Sequence, residues 1–195
     1  MDLNYDFFKI DKNLKPRKGR ILISEPFLQD AYFRRSVILL TEYSPEGSVG
    51  FVLNKPAKLK INDVVDDFPV FDAELTVGGP VATDTIHFCH TLGELIPNSV
   101  KVLHNIYWGG DFEILRKLIR TGLINNSQVR FFIGYSGWGK GQLERELSED
   151  SWLVAELRSW DVIIKTDKNF WKESLSMVGE KYKLWANYPE NPVLN

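Results

Sequence analysis

The chain predicts an α+β fold, with a curled, barrel-like, mainly antiparallel sheet and flanking helices. Three observations lead there. Strand-like runs follow one another directly across Gly and Pro turns, at 19–24, 36–41 and 48–54, which argues against a repeated βαβ layout. Phe112, Leu115, Leu118 and Ile119 recur at helical spacing. With 195 residues and 44% hydrophobic content, the chain can build one substantial core. The expected organisation is an amino-terminal arm at 1–18, a single compact domain at 19–188 and a carboxyl-terminal tail at 189–195.

In the arm, Tyr5, Phe7 and Phe8 read as residues that dock on the domain, since exposed aromatic patches are costly. Gly19-Arg20-Ile21-Leu22-Ile23-Ser24 opens the sheet and Pro26 marks its exit. The continuous apolar run Val37-Ile38-Leu39-Leu40 predicts an interior strand, paired antiparallel with 48–54 across the turn Ser44-Pro45-Glu46-Gly47. A short helix is expected over 59–65, then strands at 73–77 and 85–90. Asp111 is placed to cap a helix that Gly122 ends. Val129-Arg130-Phe131-Phe132-Ile133 reads as a strand running into a glycine-rich turn, Gly134-Tyr135-Ser136-Gly137-Trp138-Gly139-Lys140-Gly141, before a helix near 141–147. The stretch 151–155 is ambiguous, 160–164 reads as a late strand and 169–178 as a terminal helix, with Pro189 and Pro192 beyond it.

A formal net charge of −2 supplies no global basic field for nucleic acid, and the basic stretch from Lys12 to Arg20 reads as a solvated loop. Cys89 is the only cysteine, so no intrachain disulfide or cysteine zinc site forms; it reads as a buried small side chain. Neither a leader nor an apolar stretch long enough to cross a bilayer stands out, and a cytoplasmic protein is expected.

One cofactor signature and one catalytic signature fail on spacing in the glycine-rich segment. No Gly-Lys-Ser/Thr ending matches a phosphate loop, and Gly137 follows Ser136 one residue too soon for a nucleophile elbow. His87 and His90 are three apart on a strand, so they face opposite sides and make a poor metal pair, even with Asp84 or Glu94 nearby in sequence. No cofactor and no metal is expected. Asp30, Arg34 and Arg35 read first as a charge network; they become anion-recognition candidates if folding places them beside Asn54 or the glycine-rich segment.

In combination, Gly19 to Pro26, Asp30, Phe33, Arg35-Ser36-Val37-Ile38, Gly50-Phe51-Val52-Leu53-Asn54-Lys55-Pro56, Gly78-Gly79-Pro80-Val81 and Gly134 to Glu144 resemble the YqgE/AlgH family of largely uncharacterised bacterial proteins. Two departures are Ser136, where the family often has Ala, and Lys140, where it often has Pro. The resemblance implies the curled, barrel-like α+β fold and no assigned catalytic centre or DNA-reading helix, although some relatives carry a transcription-regulator label. It also marks Asp30, Arg35, Asn54, Gly79, Trp138, Gln142 and Glu144 as a candidate ligand or partner surface. The leading expectation is a ligand- or protein-binding module with a regulatory role, whose partner is a small molecule or protein rather than nucleic acid or membrane. Arg35 and Asn54 would give polar recognition and Trp138 an anchor. The alternative is a small hydrolase or transferase with Glu144 as base and Arg35 stabilising an anion; a DNA-binding regulator ranks third.

Overall fold

The computed structural model describes residues 14–157, 159–164 and 167–189. The aromatic residues of the arm and Pro192 of the tail lie outside them. The sheet opens with β1 (Ile21–Ser24), β2 (Val37–Ser44) and β3 (Gly47–Val52), and β2 and β3 form the expected antiparallel hairpin. After these come β4 (Pro56–Lys60), a 3-10 turn at Ile61–Asp63, β5 (Glu74–Val77), β6 (Val81–His90), β7 (Val100–Leu103) and β8 (Ile106–Trp108). Helix α1 (Phe112–Arg120) leads to β9 (Val129–Gly139), α2 (Gln142–Ser148), β10 (Trp152–Ala155), α3 (Ser159–Ile164), α4 (Phe170–Val178) and α5 (Glu180–Ala186).

The α+β class and the mainly antiparallel pairing are as the sequence predicts, but the curled barrel is not. The strand path β10-β1-β2-β3-β9-β6-β8-β7 is open, and its two end strands do not pair with each other. Burial supplies the physical reason. Ile21, Ile23, Val37, Leu39 and Phe51 pack on one face under Phe170, Trp171, Leu175 and Trp185 of α4 and α5. Leu22, Ile38, Leu40 and Val52 pack on the other against Trp138 and Leu143. Apolar rows covered on both faces produce the continuous hydrophobic runs of β1 and β2, and they leave no single interior for a sheet to wrap around. A third cluster joins Leu75, Phe88 and Phe131 to Leu115 and Ile119 of α1.

The glycine-rich segment is strand rather than turn. β9 continues to Gly139 because β3 pairs with it through Gly47↔Gly139, Ser48↔Trp138 and Gly50↔Ser136. Gly134 within it meets a crossing of chains. β5 runs parallel to β9 along one edge, Leu75↔Phe131 to Val77↔Ile133, and β6 runs antiparallel along the other, with Val81↔Tyr135. Residues 78–80 must therefore pass over β9. A Cβ at Gly79 would lie 2.3 Å from the Tyr135 carbonyl carbon, and one at Gly78 2.3 Å from the Gly134 oxygen. Only glycine permits that approach.

Other departures have local causes. The 59–65 segment gives one edge strand and a single 3-10 turn in place of a helix. The stretch read as a late strand is α3, because a short apolar run does not distinguish a buried helix from a strand. β7 and β8 form an unforeseen hairpin whose tight turn places Asn105 at φ 60°. Asp111 caps α1 as expected, its carboxylate accepting from the backbone N–H of Glu113 and Ile114.

Among the described residues no helix is long and apolar enough to cross a membrane. Cys89 is fully buried, and burial pushes its thiol up to about 12, so it is an inert core residue.

His87 and His90 face opposite sides of β6, and burial disfavours the charged form of both. His90 Nε2 donates to the Gly109 carbonyl at 3.1 Å while Nδ1 accepts from the Leu92 N–H at 3.2 Å, so a second ring proton would face a donor. Burial lowers both imidazoles below their ordinary range. A depressed folded pKa means that the unfolded chain takes up protons first, so stability is full above the unfolded value near 6.5 and is lost as pH falls below it. Denaturant melts between pH 7.5 and 5.5 should show this loss, and His90→Gln should flatten it.

Candidate functional site

Asp30, Arg34 and Arg35 sit in the connection between β1 and β2, where the Asp30 carboxylate accepts from the N–H groups of Tyr32 at 2.8 Å and Phe33 at 3.0 Å. That turn brings the arginines back toward the start of β2. Asn54 follows β3, buried at 2% exposure. Its Oδ1 accepts from the Val37 N–H at 2.9 Å and its Nδ2 donates to the Arg35 carbonyl at 2.8 Å. One amide thus satisfies a buried donor and acceptor where β2 begins, and it holds Arg35 at φ 52°. Asn54→Ala leaves both backbone groups unpaired and is expected to cost about 2–3 kcal/mol in a denaturant titration.

Beside Asn54 lies a cavity of about 520 Å³, lined by Arg34, Arg35, Lys55, Lys168 and Lys172 with Asn54, Trp171 and smaller neighbours. Among the described residues no carboxylate lines it. The Arg35 guanidinium lies 4.9 Å from the Trp171 ring centre and donates to the Tyr188 carbonyl, tying the end of the helical segment to the cavity. Lys55 donates to the carbonyls of Ala31 and Tyr32, and burial lowers its ammonium from the usual range; Asp30 opposes this, and Arg34 and Lys168 add to it. Arg34, Lys168 and Lys172 are exposed, and their side chains have no hydrogen-bond or ion-pair partner among the described residues. Elsewhere the surface pairs its cations readily: Lys60 with Asp72, Arg116 with Glu113, Lys140 with Glu46. Like charges gathered in one concavity repel each other and raise the local potential, and an anion relieves both effects. The same donor set repels a metal cation.

The remaining sequence candidates lie apart from this cavity. Gly79 is committed to the crossing over β9. Trp138 is 5% exposed, stacked 6.2 Å from Phe33 and edge-on to Trp152. Its strand borders a shallower depression of about 460 Å³ with Glu42, Glu46 and Tyr135. Gln142 accepts from the Gly139 N–H and donates to Glu146. Glu144 accepts the Tyr43 hydroxyl at 2.9 Å, and neither it nor any other described carboxylate lines the cavity that contains Arg35.

Two central polar residues escaped the sequence reading. Glu146 accepts the indole N–H of Trp138 at 2.9 Å and of Trp152 at 2.8 Å on one oxygen, and the Gln142 amide on the other. Its spacing of four from Gln142 on α2 was the available signal. Arg130, 3% exposed, donates to Thr76 Oγ1 and to the carbonyls of Val162 and Leu53, joining β5, β9 and α3 beneath Asn54. Burial lowers its guanidinium to about 9. A charge in the middle of the apolar run of β9 marked it as unusual.

This arrangement defines a two-faced α+β sheet domain with a cationic cavity at one end of the β2–β3 hairpin. The chain belongs to the AlgH-like family, whose profile matches residues 21–183, and this bacterial family has no assigned function. It is 42% identical over 197 residues to a UPF0301 protein of Bacteroides fragilis, covering 100% of both chains, and 45% identical over 179 residues to one of Cytophaga hutchinsonii, covering 91% of this chain and 98% of that one. Its fold is similar to the solution structure of AlgH from Pseudomonas aeruginosa, with TM-score 0.72, 24% identity and coverage of 92% and 98%. A crystal structure of a Corynebacterium diphtheriae protein gives TM-score 0.75 at 21% identity, covering 96% of this chain and 100% of that one.

Proposed function

We propose that this protein is a cytoplasmic ligand-binding module whose 19–188 domain takes a small anionic molecule in the cavity between the β1–β2 connection and α4. The observation that carries the reading is a concavity lined, among the described residues, by five cations and no carboxylate. Its size falls within the range of small-molecule sites. Of the sequence candidates, Arg35 and Asn54 line it directly, while Asp30 shapes the turn that delivers the arginines. A regulatory output fits the Arg35 contact with Tyr188, since a ligand drawing on Arg35 would act on the same guanidinium that holds the end of the chain's helical segment.

A ligand present at about 100 times its Kd stabilises the folded state by about 2.7 kcal/mol. At about 2–4 °C per kcal/mol for a chain of this size, Tm is expected to rise by roughly 5–11 °C. Scanning calorimetry against a panel of organic anions checks this. The double variant Lys168→Glu, Lys172→Glu is expected to keep or raise the basal Tm, because it relieves like-charge repulsion, and to lose the ligand response. A panel that leaves Tm unchanged, or a response that survives the double variant, counts against the reading.

A further inference from the structure

We propose that the anion this cavity takes is a diphosphate, two linked phosphoryl groups on a small organic molecule. The inference rests on the anion-site reading above and names its chemistry. Two of the five lining cations are already occupied: Lys55 by the carbonyls of Ala31 and Tyr32, and Arg35 by the Tyr188 carbonyl and the Trp171 face. That leaves Arg34, Lys168 and Lys172, none of whose side chains has a partner among the described residues. One phosphate monoester brings about −1.5 to −2 charges at neutral pH, less than three free cations match, whereas a second phosphoryl group supplies the difference. The mixture of donors fits as well. A guanidinium forks onto two oxygens of one phosphoryl group, and two ammonium groups act as point charges for the oxygens of the next.

The helix geometry agrees with this assignment without carrying it. Asn169 lines the cavity and is the residue before α4, and its side chain makes no cap hydrogen bond, so the positive end of a nine-residue helix faces the same space. The cavity of about 520 Å³ also has Ala31, Pro56 and Trp171 in its wall, which gives room and an apolar side for the organic part.

Isothermal titration of the full chain with inorganic diphosphate, inorganic phosphate and citrate tests the proposal. Diphosphate is expected to bind at least about tenfold tighter than phosphate and than citrate, and to weaken by about tenfold or more in Arg34→Gln and in Lys172→Gln. Both side chains are exposed, so folding is checked simply by an unchanged Tm, and Lys140→Gln, remote and paired with Glu46, serves as the control. Citrate binding as tightly as diphosphate would overturn the phosphoryl assignment while leaving an anion site in place. Phosphate binding as tightly would overturn the requirement for two groups. If no anion binds, the anion-site reading falls as well.

Discussion

Gly79→Ala is expected to abolish the stable native fold, with a loss above about 4 kcal/mol, at the extreme of single substitutions. The added methyl would lie 2.3 Å from the Tyr135 carbonyl carbon and oxygen and 2.5 Å from the Ser136 nitrogen. These are backbone atoms of the strand that carries the sheet, so no rotamer change relieves the overlap. Moving β9 away would break Val81↔Tyr135 on one side and Gly50↔Ser136 on the other. Gly139→Ala is the matched control, since its methyl meets only the Gln142 side-chain oxygen at 3.9 Å; it should stay within about 1 kcal/mol of the parent. Circular dichroism and denaturant titration compare the two. Equal stability would mean that residues 78–80 do not cross β9 in contact.

The second large effect is expected at Glu146, where the alanine variant should lose about 3–4 kcal/mol. Three donors converge on this carboxylate, and hydrogen bonds to a charged group are worth about 1.5–3 kcal/mol each. The sum is discounted because the residue is only half-buried. At about 2–4 °C per kcal/mol, Tm should fall by roughly 6–16 °C. Glu146→Gln keeps one acceptor oxygen and should lose about half as much. The Trp138 and Trp152 rings meet edge-on across this carboxylate, so the near-ultraviolet circular dichroism of the alanine variant should weaken. A variant with unchanged Tm would remove Glu146 from the account of how α2 is held to the sheet.

These two residues show what local pattern reveals and what it hides. The β1, β2, β3 and β5 strands and the capped helix α1 were legible because apolar runs, turn residues and an Asp at the cap are written within a few positions of each other. Closure of the sheet was not, since it depends on whether β10 and β7 meet, which no single run encodes. The segment 134–139 reads as a turn from its glycines, yet Gly134 answers to Gly78 and Gly79 more than fifty positions earlier. Half of the candidate site was legible in the same sense. Arg34 and Arg35 depended on being placed beside Asn54, and folding places them there. Lys168 and Lys172 lie over a hundred residues away and carry no local signature. Glu146 is an ordinary glutamate until two distant indoles are brought to it.

The central claim is that this cationic cavity, and not the Trp138 face, receives an anionic ligand. Amide chemical-shift mapping of the ¹⁵N-labelled chain during titration with inorganic diphosphate addresses it most directly. The account predicts saturable shifts clustered at 31–35, 54–55 and 168–172, with the Lys168→Glu, Lys172→Glu variant silent. Shifts gathered instead around Tyr135 and Trp138, or no saturable shifts at all, would contradict it.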